Sequence, residues 1–160
     1  MGGEFSAEKF LHYLGTLQKD YAHLSEILVK KREAILLYDI GALNEIMKDE
    51  QAFVLLSRGF NHNIAAFRKE LGLSGSTLTE TIESMPAEWQ PEFRAMLEPL
   101  KQTIDEVRRR NEDCQELTEK KLSQIGRNLN RLGAAGAKPY AQSAAPAKVN
   151  ARSGSFNKSI

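Results

Sequence analysis

Three histidines and one cysteine are the side chains of this 160-residue sequence best suited to metal or nucleophilic chemistry, and their spacing serves neither. His12, His23 and His62 never fall three or four residues apart, as a helix requires to aim two imidazoles at one zinc ion. Cys114 has no second thiol to share a metal or a disulfide, and its place between Asp113 and Gln115 predicts a partly buried small apolar residue. A di-iron bundle needs inward carboxylates and a Glu-x-x-His pair on each of two helices; the nearest pattern, Asp20 with His23, occurs once. Gly133-Ala-Ala-Gly136-Ala-Lys138 lacks the four-residue gap, the closing Ser or Thr and the preceding strand of a phosphate loop, and reads as a helix end and linker. There is no Gly-x-Ser-x-Gly element, and the acidic pairs Asp49/Glu50 and Glu112/Asp113 are adjacent residues that diverge on a helix. The expectation is a protein with no catalytic residue, no metal and no cofactor.

The sharpest basic cluster, Arg108-Arg109-Arg110, is flanked by Asp105, Glu106, Glu112 and Asp113, which weaken its field toward phosphate and argue against nucleic-acid binding. With 41% hydrophobic and 27% charged residues and five prolines, the composition is that of a soluble helical protein. No apolar run reaches membrane-spanning length, so no membrane insertion is expected. Phe5, Phe10 and Leu11 are separated by Ser6, Glu8 and Lys9, unlike a secretory leader, and the expected location is cytoplasmic. Met1-Gly2 with Ser6 matches the short myristoylation pattern formally and is set aside.

What the sequence has in excess is amphipathic helix. Phe10, Leu14, Leu17, Tyr21, Leu24, Leu28, Lys31 and Ile35 alternate in steps of three and four, predicting a helix over about residues 6 to 37. Asp39 can cap a new helix, and Gly41 marks a turn or a kink, with the short spacing favouring a tight antiparallel turn. Leu43, Ile46, Phe53, Phe60, Ile64, Phe67 and Leu71 carry the pattern on over 40–71, interrupted by Glu50 and Ser57 and widened by Met47, Val54 and Leu56. Residues 72–79 have turn composition, and Thr77 with Glu80 has capping-box spacing for a short helix over 77–85. Pro86 and Pro91 suit helix starts, whereas Pro99 lies inside the stripe Phe93, Met96, Leu100, Ile104, Val107 and predicts a break near Glu98, giving helices over 87–97 and 99–132. Asn111 sits on that seam, where a polar residue either fixes register or is simply solvated. The fold class is all-α: a long antiparallel helical hairpin grown into a three-helix coiled-coil bundle over 1–132, with a short connecting helix.

From Gly133 the composition turns to Ala, Gly, Ser, Lys and Pro without periodicity, which predicts a flexible tail over 133–160. Lys138, Lys148, Arg152 and Lys158 give it +4 with no acid, while the remaining 18 basic and all 21 acidic residues leave the preceding part at −3. Helices one and two must spend their apolar stripes on internal packing. The last helix is long enough to run past the hairpin, so Leu117, Leu122, Ile125, Leu129 and Leu132 are the candidate surface for an amphipathic helix of a partner protein. Two other readings use the same sequence: a structural coiled coil that forms a homodimer through that stripe, and a tail that binds nucleic acid or anionic membrane with steep salt dependence.

Arg32-Glu33-Ala34-Ile35, Asp39, Ala42-Leu43, Ile46 and Glu50 resemble the heptad hairpin of the FlgN family of flagellar type III export chaperones. So does the order of a long amphipathic last helix, a small-residue linker, a lone tyrosine in Lys138-Pro139-Tyr140, and the basic end Arg152-Ser-Gly-Ser-Phe-Asn-Lys158-Ser-Ile160. The resemblance implies a cytoplasmic chaperone that binds the C-terminal helices of the hook-filament junction proteins FlgK and FlgL through the last helix. It also implies that Tyr140 docks the complex on the export gate protein FlhA. Family members often have Asn-Gly early in the last helix and Gly after the tyrosine, whereas here Asn111 precedes Glu112 and Tyr140 precedes Ala141.

Overall fold

The computed structural model describes residues 2–133, which form five helices and the turns between them, with no strand among the described residues. These are α1 (Gly2–Leu36), α2 (Ile40–Ser57), α3 (Phe60–Glu70), α4 (Leu78–Glu83) and α5 (Gln90–Arg131). The expected tail, with Tyr140, lies outside the described residues beyond Gly133.

Helix α1 is the axis of the bundle because its three-four seam is the longest: Phe10, Leu14, Leu17, Tyr21, Leu24, Leu28 and Ile35 are all buried. Burying a large aliphatic or aromatic side chain of this kind contributes about 1.5–3 kcal/mol. Helices α2 and α3 run antiparallel to α1, as Lys31 with Glu50 at 2.8 Å, Tyr21 with Phe53 at 5.3 Å and Phe10 with Phe67 at 4.9 Å establish. Helix α5 runs parallel to α1, with Phe10 against Phe93 at 5.4 Å, Gln18 donating to Thr103 at 2.8 Å, and the Cys114 thiol donating to the Leu28 carbonyl at 3.5 Å. The topology is up, down, up. Lys31 and Glu50, the polar residues of the two seams, meet each other as an ion pair.

The hairpin turn is tight. Tyr38 adopts φ +53, its N–H donates to Ile35 O and the Asp39 N–H to Ala34 O, a Schellman ending to α1. Asp39 Oδ1 then accepts from Ala42 N at 3.0 Å and caps α2, so the segment is a turn and not a kink. The second long helix divides: α2 ends at Ser57 and α3 begins at Phe60, with Arg58 and Gly59 between them. Ser57 Oγ donates to Val54 O, which also accepts from Arg58 N, and the Gly59 N–H bonds back to Leu56 O in a tightened last turn. Met47, Val54 and Leu56, expected to widen the buried stripe, are instead exposed on the outside of α2.

Residues 71–77 reverse the chain through Gly72 at φ +64 and Gly75 at φ +109, where a Cβ would fall 2.7 Å from Glu80 Cβ. The predicted capping box is formed: Thr77 accepts from Glu80 N, and the Glu80 carboxylate accepts from Thr77 N. Thr81, fully buried, donates to Thr77 O and accepts from Arg68 Nε, both at 2.8 Å.

Pro99 does not break the last helix; α5 is continuous from Gln90 to Arg131. Pro99 and Ala95 both face solvent, so the carbonyl left without its N–H partner is open to water. On the other side Phe93, Leu97, Leu100 and Ile104 stay buried, and their common packing holds the helix through the proline. Thr103 Oγ1 donates to Pro99 O at 2.9 Å just beyond it.

Candidate functional site

The register between α1 and α5 leaves the end of α5 without a partner helix. Helix α1 stops at Leu36, level with the segment where Lys121 Nζ lies 4.5 Å from the Tyr38 ring centroid. The residues from Leu122 to Arg131, about 15 Å of helix at roughly 1.5 Å per residue, continue past the hairpin turn. From Ser123 to Gly133 every residue except Gly126 is exposed. Helix α5 ends at its expected place, with Leu132 as C-cap and Gly133 at φ +74.

On this overhang Ile125 is 42%, Leu129 43% and Leu132 82% exposed. Their spacing of four and three puts them on one face, in line with Cys114, which packs on Leu28 of α1, and with Lys121, which lies over Tyr38 of the turn. The face that meets α1 inside the bundle is thus the face left open beyond it. Leu117 and Leu122 are half-buried and sit on opposite edges of that line, because the five-residue step between them breaks the three-four pattern. Cys114 is buried, and burial pushes its thiol up, as befits a packed core residue.

The hairpin turn beside the overhang adds exposed apolar residues that sequence reading did not assign to the site: Leu36, Leu37, Tyr38 and Ile40. Their signal was the run Leu36-Leu37-Tyr38 directly before a helix-capping aspartate, where a turn is ordinarily polar. Together the turn and the overhang make an apolar ledge at one end of the bundle.

The other residues singled out for chemistry lie apart from this ledge. Burial raises the Asp20 carboxyl, with His23 opposing it, and among the described residues no group of three His, Cys, Asp or Glu could hold a metal ion. Arg108 reaches Asp105 at 4.0 Å and Arg110 pairs with Glu106, as the flanking acids led us to expect. Asn111 is half-buried on α5. Among the described residues no helix is long and apolar enough to cross a membrane.

The described residues form a long-helix bundle whose last helix carries an exposed apolar stripe beyond the hairpin. The family model described as FlgN protein matches residues 1–144, and the chain belongs to that family of flagellar export chaperones. No curated protein and no solved structure matches the chain.

Proposed function

We propose that this chain is a cytoplasmic, non-enzymatic export chaperone that binds the C-terminal helices of the junction proteins FlgK and FlgL. Binding keeps them unassembled until they reach the type III export gate. The client helix lies along Ile125, Leu129 and Leu132, with Leu122 and Leu117 at its edges. The observation that carries this reading is the apolar stripe of α5, exposed for about three turns beyond the hairpin. Tyr140, outside the described residues, is the proposed contact with the gate protein FlhA: an aromatic ring beyond the end of α5 that fills a pocket on the gate. Tyr140→Ala should abolish gate binding and leave client binding intact.

Light scattering and circular dichroism of the chain, alone and mixed with C-terminal fragments of FlgK and FlgL, test the proposal. A free monomer that forms a stable complex and gains helix on mixing is the expected result. A tight homodimer indifferent to both fragments would assign the stripe to self-association.

A further inference from the structure

The charge of the chain changes sign at the level of the hairpin turn. Eight Lys or Arg residues and no Asp or Glu follow Glu119, whereas 14 basic and 21 acidic residues precede Lys120. The change falls where α5 leaves its partner helices, since Lys121 is the residue over Tyr38 and the overhang begins at Leu122. Lys120, Arg127 and Arg131 are exposed, and their intervals of seven and four keep them within roughly 40° of one another around the helix axis. That side of the helix lies opposite Ile125, Leu129 and Leu132. Among the described residues no ion pair joins any of the three cations to a carboxylate, whereas lower in the bundle Arg32 pairs with Asp113 at 3.1 Å and Lys31 with Glu50 at 2.8 Å.

We infer that the overhang of the free chain lies on an anionic bilayer surface, with its apolar stripe in the interface and its basic side at the level of the lipid phosphates. A helix with aliphatic side chains on one face and cations on the other has the form that binds such surfaces, and it needs no spanning segment to do so. The stripe of such a helix sinks about 5–10 Å into the boundary between headgroups and acyl chains. The helix is itself about 10–12 Å across, so the opposite side stays among the headgroups. Long Lys and Arg stems let the charges reach the phosphates from there. Leu37 and Ile40 of the turn, both exposed, enlarge the apolar area at this end of the bundle. Lys138, Lys148, Arg152 and Lys158 follow in the sequence and add four cations toward the same surface. Nucleic acid would meet the cations and leave the aliphatic side chains in water, whereas a bilayer takes both.

Sedimentation of the full chain with lipid vesicles tests this. Vesicles of phosphatidylglycerol and phosphatidylcholine in equal parts should carry the chain down, vesicles of phosphatidylcholine alone should not, and binding should fall steeply as salt rises. Arg127→Glu/Arg131→Glu should weaken binding by more than about tenfold, and so should Ile125→Ser/Leu129→Ser, which keeps every charge. Both variants change exposed positions only and should keep the parental helicity. Equal binding to the two kinds of vesicle, or binding to neither, would overturn the inference. So would full binding by Ile125→Ser/Leu129→Ser, which reduces the contact to charge that a short RNA could equally satisfy, or a dimer that those substitutions dissociate with no vesicle binding by the parent chain. The assay contains no junction-protein fragment, so its failure leaves the chaperone reading standing. Fragments that fail to bind would in turn leave the bilayer contact standing.

Discussion

The Tyr38 ring lies under Lys121 Nζ at 4.5 Å, so the residue that closes the α1–α2 turn also ties α5 to the hairpin. Tyr38 does this from the left-handed region at φ +53, which costs a residue with a Cβ about 1 kcal/mol. The ring recovers a comparable amount through the cation.

Those two terms separate by mutation. Tyr38→Ala keeps the backbone strain and loses the ring, and should destabilise the bundle by about 1 kcal/mol. Tyr38→Gly loses the ring and the strain together and should exceed Tyr38→Ala by roughly 0.5–1 kcal/mol, against the usual ranking of these residues. Urea denaturation of the two variants checks the order.

Phe10 is fully buried and touches Phe67 of α3 and Phe93 of α5, so it joins all three legs of the bundle. Phe10→Ala should cost about 3–5 kcal/mol in equilibrium denaturation. A loss below about 1 kcal/mol would mean that this end of the bundle is loosely packed.

Pro99 should be a destabilising residue that the bundle tolerates. Pro99→Ala restores an N–H to the solvent-facing side of α5 and removes a helix breaker, predicting a gain of about 1–3 kcal/mol. An unchanged midpoint in urea would contradict that.

The helical seams and their polar partners were legible in the sequence because one rule, three-four spacing, governs them. Asp39 and the Thr77/Glu80 box were legible because capping is local chemistry. The proline break was misplaced for the opposite reason: local propensity at Pro99 is outweighed by the packing of Phe93, Leu97, Leu100 and Ile104 on α1, which no window around Pro99 contains. The split at Arg58–Gly59 interrupts a stripe whose spacing continues across it from Phe53 to Phe60, so periodicity passed over it. The overhang was foreseen from length, but the Leu36–Ile40 ledge was not, since its exposure depends on how the turn meets α5.

Stability should fall at both ends of the pH scale for identifiable reasons. Glu80 accepts from Ser76 N at 2.7 Å, from Ser76 Oγ at 2.9 Å and from Thr77 N at 3.4 Å, and these bonds, the Ser76 backbone one foremost, hold its carboxyl below the ordinary 4.5. A depressed folded value contributes stability above the unfolded value, lost as pH falls through the folded one; Glu80→Gln should therefore flatten the loss as pH falls below the ordinary 4.5. Burial pushes the Tyr21 hydroxyl up to about 12, with Tyr13 adding to it. That raised value contributes stability below the unfolded value and loses it as pH rises from about 10 toward 12, a limb that Tyr21→Phe should remove. Thermal melts across pH read both limbs.

The most direct measurement is the affinity of FlgK and FlgL C-terminal fragments for the chain carrying Ile125→Glu and Leu129→Glu, two substitutions at positions already exposed to water. With helicity and urea stability unchanged, binding should weaken by roughly a hundredfold, since two apolar side chains lose their cover and two charges enter the interface. Binding that survives both substitutions at the parental affinity would contradict the assignment of the overhang as the client surface.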